Sequence, residues 1–110
     1  MAPATKDQLL GSLDLLILKA LAGGPLHGYG IASRIHKVSE ETLRVGEGSM
    51  YPALHRLAQK GFVRAEWTTS ETNRRARVYS LTPKGRKQLA TEEEHWTRVT
   101  KAVTHFLKFA

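Results

Sequence analysis

Two groups of side chains in this sequence have the chemistry to hold an anion. The first lies on a short amphipathic stretch. Met50, Ala53, Leu54 and Leu57 fall at i, i+3, i+4 and i+7, one apolar helical face, while Ser49, Tyr51, His55, Arg56, Gln59 and Lys60 lie on the other side. Ser49 and Tyr51 can donate to phosphate or to base edges, and Arg56 can reach either, bidentately at a guanine. Glu47 is a dissenting charge there, able to accept from cytosine or to point away. The second group is a run of cations: Arg74, Arg75, Arg77, Lys84, Arg86 and Lys87, with Glu71 the one anion between Ser70 and Lys87. Lys84, Arg86 and Lys87 fall where a helix is expected to begin, an unfavourable place for positive charge. A phosphate arriving nearby would offset that cost. The whole chain leans the same way, with 17 Lys and Arg against 10 Asp and Glu and a formal net charge of +7. A small basic domain attracts polyanions because neutralising phosphates releases condensed counterions.

Other chemistries find little support. With no cysteine among the 110 residues, disulfide scaffolds, thiolate metal sites and thiol nucleophiles are excluded. His27, His36, His55, His95 and His105 are scattered, and none sits in a nucleophile or zinc-hydrolase motif. Neither a Gly-x-Ser-x-Gly elbow nor a phosphate-cradling glycine loop occurs. Glu92-x-x-His95 has the spacing of a carboxylate-bridged metal pair, but such a site needs a second copy and further glutamates, so a solvated helix face explains it better. The expectation is a non-enzyme with no cofactor and no metal. The longest nearly apolar run, Leu15 to Ala22, is far too short to span a bilayer, and no signal peptide is visible. That predicts a cytoplasmic protein, nucleoid-associated through DNA, with no membrane partner.

The elements that must position these groups can be read from periodicity and punctuation. Residues 1–8 read as a flexible tail. Ser12 is a candidate cap for a first helix rich in leucine, which stops at Gly23-Gly24-Pro25. This helix is apolar almost all round and therefore has to be covered on more than one side. A second helix runs from about His27 to Val38, and Ser39 to Gly46 connects it to a third that begins near Gly48-Ser49. Pro52 suits that helix only in its first turn, which would fix the start to within a residue or two. The period then changes to two: Val63, Ala65 and Trp67 alternate with Arg64 and Glu66, and Ala76 to Leu81 forms the second strand of a hairpin. Thr82-Pro83 starts a last helix of about 27 residues, roughly 40 Å long. The fold class is mainly α with a small β-hairpin: a winged helix-turn-helix over residues 9–82, with a long dimerisation helix over 83–110. The third helix is the reader and the hairpin the wing.

The stretch Gly48-Ser49-Met50-Tyr51-Pro52-Ala53-Leu54-His55-Arg56-Leu57, followed by Lys60-Gly61, resembles the reader-helix motif of PadR-like transcription regulators. Trp67, Arg75, Arg77 and Tyr79 around the wing continue the pattern, as do Leu81-Thr82 with Gly85. Leu10-Gly11-Ser12-Leu13-Asp14 and Leu26-His27-Gly28-Tyr29-Gly30-Ile31 match upstream. The resemblance covers roughly residues 9 to 107 and is departed from at Met50, where Leu is more usual, a volume-conserving change. It implies a prokaryotic homodimeric repressor of the short form, without a separate C-terminal domain. It also implies that the dimer space can hold a planar aromatic effector.

In the last helix Leu89, Trp96 and Val103 recur every seven residues, with Val99 and Phe106 between them, and Glu92 interrupts the stripe. A helix this long would overhang its own core. A partner subunit would cover the stripe, so Leu89, Trp96, Val99, Val103 and Phe106 are the expected dimer contacts, with two-fold symmetry and a palindromic operator. Trp96 reads first as a packing anchor and second as an effector contact. The expected partners are therefore double-stranded DNA, a second copy of the chain and a small aromatic effector, and the candidate DNA contacts are Ser49, Tyr51, His55, Arg56, Arg74, Arg75 and Arg77. A winged-helix interaction scaffold and a non-specific nucleic-acid binder are the alternatives.

Overall fold

The computed structural model describes residues 6–69 and 71–110, with residues 6–11 as backbone only. The order of elements is α1 (Lys6–Leu21), β1 (Leu26–His27), α2 (Gly28–Val38), α3 (Glu47–Gln59), β2 (Val63–Thr69), β3 (Arg75–Leu81) and α4 (Pro83–Phe109). The three strands form one antiparallel sheet in the order β1-β3-β2, and the architecture is that of a winged helix with a long C-terminal helix. Among the described residues no helix is long and apolar enough to cross a membrane.

α1 is the hub. Leu13, Ile17, Leu18, Ala20 and Leu21 are buried, and α2, α3, α4 and β3 all pack against it. Among the described side chains the covering of this nearly all-apolar stretch thus comes largely from its own chain, with Leu15, Leu16 and Ala22 left half-buried. Ile31 and Ile35 from α2, Met50, Ala53, Leu54 and Leu57 from α3, and Val63, Tyr79 and Leu89 complete the core. α1 begins at Lys6, upstream of Ser12, so Lys6 to Gln8 of the expected tail are helical and residues 1–5 lie outside the described residues. The reason is local: Lys, Gln and Leu favour helix, and Gly11 weakens one by only about 1 kcal/mol.

Two further boundaries differ from the sequence reading. α3 starts at Glu47, with Gly46 as its extended N-cap, so Pro52 sits in the second turn rather than the first. Its missing N–H deprives the Gly48 carbonyl of a helical partner. Gly48 is exposed and meets no neighbouring atom, so water can satisfy that carbonyl and the backbone can tilt away from the ring. β1 is two residues long and has no local signal; it exists because Leu26 pairs with Tyr79 and His27 with Val78. The sheet is therefore three-stranded where a hairpin was expected.

The junction of the wing with α4 is tightly specified. The Thr82 hydroxyl accepts from the Gly85 N–H at 2.9 Å, capping α4, and can donate to the Gly61 carbonyl at 2.6 Å or that of Phe62 at 3.1 Å. A Cβ at Gly85 would lie 2.0 Å from the Phe62 carbonyl oxygen, so only glycine lets α4 approach this closely. Lys84 donates to the Lys60 carbonyl at 2.8 Å and lies over the Phe62 ring. That cation is spent on the C-terminus of α3, where positive charge is favourable, rather than offered to an approaching polyanion.

α4 leaves the body after Glu93, whose carboxylate pairs with Lys19 of α1 at 3.0 Å. From Glu94 to the C-terminus every residue is exposed. The Cα radius of gyration is 15.4 Å and the long axis 57 Å, against about 13 Å for the radius of a compact chain this size. The overhanging helix supplies the difference.

Candidate nucleic-acid interface

The register of the wing decides what faces the reader helix. Val63 pairs with Leu81, Ala65 with Tyr79, Trp67 with Arg77 and Thr69 with Arg75. Directly opposed residues share a face, so one row runs from the core outward: Val63 and Leu81, then Ala65 and Tyr79, then Trp67 and Arg77, then Thr69 and Arg75. At its base this row is apolar and packs into the core. Further out, where the strands outrun the body, the same row carries arginine. Cations on the inward row of a hairpin make sense if something anionic enters beside them.

Between this row and α3 runs a half-open groove of about 530 Å³. Tyr51, His55 and Ala58 of α3 form one wall, Trp67, Arg75 and Arg77 the other, and Leu54, Ala65 and Tyr79 the floor. His27 of β1 and Tyr29 of α2 also line it. Among the described residues no carboxylate lines it. Tyr51 lies close against Gly28: a Cβ there would lie 2.8 Å from the ring and 3.0 Å from the phenol oxygen. On the wing, the Arg75 and Arg77 guanidinium carbons lie 4.9 and 5.4 Å from the centre of the Trp67 ring, and Arg77 lies 6.0 Å from that of Tyr79.

The structure therefore brings Tyr51, His55, Arg75 and Arg77 to one groove and leaves the other candidates outside it. Ser49 is half-buried in the first turn of α3, where the extended Gly46 provides no side-chain cap. Arg74 is exposed on the turn side of β3. Arg56 faces α1 and donates to the Asp14 carboxylate at 2.9 Å, which ties the reader helix to the hub. Sequence periodicity alone assigned Arg56 to the outer face, because it gives an angle around a helix and not the partner waiting there. Trp67, His27 and Tyr29 were not expected at the groove. The period-two alternation through Trp67, Arg77 and Tyr79 was the signal available for the first.

On α4, Leu89 is buried in the core of its own domain, so it anchors the helix and is withheld from any partner. Trp96 is 49% exposed, Val103 51% and Phe106 68%, with Val99 exposed between them. Leu107 and Phe109 extend the apolar end of the helix, and His105 packs on Phe109 with ring centres 4.6 Å apart.

A sequence model of the transcriptional regulator PadR-like family matches residues 17–91. The chain belongs to that family. Membership makes it a transcriptional regulator and not an enzyme. It is 44% identical over 90 residues to an uncharacterized 37.1 kDa protein in transposon TN4556 of Streptomyces fradiae; the match takes in 82% of the chain but only 24% of that protein's length. It is 32% identical over 92 residues to transcriptional regulator Rv3488 of Mycobacterium tuberculosis, covering 84% of the chain and 82% of the relative. Among solved structures, a transcriptional regulator from Clostridium thermocellum superposes with a TM-score of 0.83 at 30% identity, over 92% of this chain and 98% of that one. Bacillus subtilis PadR in complex with operator DNA superposes with a TM-score of 0.65 at 29% identity, over 72% of this chain and 45% of that one.

Proposed function

We propose that this PadR-family regulator binds double-stranded DNA as a homodimer, reading a palindromic operator and repressing transcription. α3 enters the major groove, with Ser49, Tyr51 and His55 toward the bases and phosphates, while Arg74, Arg75 and Arg77 on the wing meet the adjoining backbone. The observation that carries this reading is the groove itself, which holds two arginines and a row of aromatic rings with no carboxylate among the described residues. The likeness to a PadR protein solved with operator DNA supports the same reading.

The homodimer is supported by the apolar stripe of α4. Trp96, Val99, Val103 and Phe106 are too large and too contiguous to leave to water on the exposed far half of a helix. A second copy packed there covers them and sets two reader helices a fixed distance apart, hence the palindrome. A planar aromatic effector stacked near Trp96 at that interface, releasing the operator, completes the proposal.

The test is a fluorescence-anisotropy titration against the DNA upstream of the chain's own gene and a scrambled duplex, at two salt concentrations. Tighter, salt-sensitive binding to the genuine sequence is expected. Equal binding to both duplexes would contradict operator recognition, and absence of binding at low salt would contradict the DNA interface itself.

A further inference from the structure

We propose that Trp67 is a positioning residue for DNA binding: its ring holds the Arg75 and Arg77 guanidinium groups in the row that faces the groove. The proposal rests on the reading of the wing as part of the DNA interface.

Trp67 is 58% exposed, too open for a core anchor. The hairpin has little need of it. β2 and β3 pair along seven residues each, and the base of the wing is held by Val63, Tyr79 and Leu81 in and against the core. What the ring does touch is charge. Arg77 is its direct cross-strand partner and Arg75 its diagonal neighbour, with guanidinium carbons 5.4 and 4.9 Å from the ring centre. Neither arginine pairs with a carboxylate among the described residues, in contrast to Arg56, which pairs with Asp14. Glu66 belongs to the other row, opposite Val78.

The mode of holding matters for what the arginines can still do. A guanidinium binds phosphate with the N–H groups along its planar edge and with its full positive charge. A carboxylate partner would occupy that edge and cancel the charge. An indole face engages the cation through its π system instead, taking neither a donor nor the charge. Trp67 thus removes rotamer freedom from two long side chains before DNA arrives, a cost that would otherwise fall on binding.

The experiment titrates the full chain into labelled DNA from upstream of its own gene. Trp67→Phe and Trp67→Leu are compared with wild type, and Trp67→Leu is repeated in an Arg75→Ala/Arg77→Ala background, with thermal melts throughout. Leucine keeps apolar bulk but has no π face. Trp67→Leu is expected to weaken binding about tenfold, the cost of ordering two freed arginine side chains on the DNA, with a melting temperature lowered by no more than several degrees, so that the protein stays folded in the assay. Trp67→Phe is expected to recover most of the loss, and Trp67→Leu to have no further effect once both arginines are gone. Equal loss with and without the arginines would overturn the proposal, since the ring would then be touching DNA itself. So would full affinity in Trp67→Leu, or a loss of binding matched by a loss of fold. If the double arginine variant binds like wild type with the same salt slope, the DNA reading of the wing fails and takes this proposal with it, an outcome distinct from the others.

Discussion

The groove between α3 and the wing and the stripe along the far half of α4 are the two surfaces of this molecule that want something from outside. They want different things. The groove is concave, rimmed by aromatic rings and two arginines, and its parts are held within the chain: Tyr51 lies against Gly28, Arg75 and Arg77 lie over the Trp67 ring, and the Arg56–Asp14 pair ties α3 to α1. It is finished within one chain. The stripe is convex and apolar; from Glu94 on, every residue of the helix is exposed. In the proposed homodimer it is half of a surface. The difference teaches that recognition of an anion can be preorganised inside a small domain, whereas an apolar face on a lone helix acquires its shape only from a partner.

The joint between the two regions is where a substitution should do the most damage. Gly85→Ala forces a Cβ onto the Phe62 carbonyl oxygen, so α4 has to lift from the body. We expect a stability loss of about 3 kcal/mol or more, read by thermal or urea unfolding. A variant as stable as wild type would mean that the junction is loose and the two regions are not rigidly joined. Val103→Asp attacks the stripe alone. It should raise the dimer dissociation constant about tenfold or more in sedimentation, while leaving the melting of the dilute monomer nearly unchanged. Gly28→Ala attacks the groove alone by pushing the Tyr51 ring aside. Because a ring can swing where a backbone carbonyl cannot, we expect a loss in DNA affinity of about threefold to tenfold, with circular dichroism unaltered. The mildest is Asp14→Asn, which releases Arg56. Both side chains of that pair are partly exposed, 42% and 27%, so the stability change should be about 0.5 kcal/mol after solvent screening. A gain in DNA affinity would identify Asp14 as a competitor for that arginine.

Much of this architecture was legible in the residues. The i, i+3, i+4, i+7 stripe of Met50, Ala53, Leu54 and Leu57 marked α3, alternation through Val63, Ala65 and Trp67 marked the wing, and Thr82-Pro83 marked the start of α4. Each is a local signal, written within one turn or a few strand residues. What escaped was tertiary. β1 exists only through its pairing with β3, and Pro52 entered the second turn of α3 because an exposed glycine lies four residues before it. Lys84 and Arg56 counted as available cations until their partners, the Lys60 carbonyl and Asp14, came into view. Leu89 fitted the heptad of an outer stripe, yet it points into the core because the first turns of α4 still lie on the body. For the candidate site, residue types were readable from sequence, whereas the braces behind them depended on register and packing.

In the proposed function the α3–wing groove faces DNA while the far half of α4 does not. Hydrogen-exchange mass spectrometry, comparing the free protein with its complex on the DNA upstream of its own gene, tests that directly. Slowed exchange is expected in peptides covering residues 51–58 and 63–81, with residues 94–109 exchanging at the same rate in both states. Protection confined to 94–109, with the groove peptides unchanged, would contradict it.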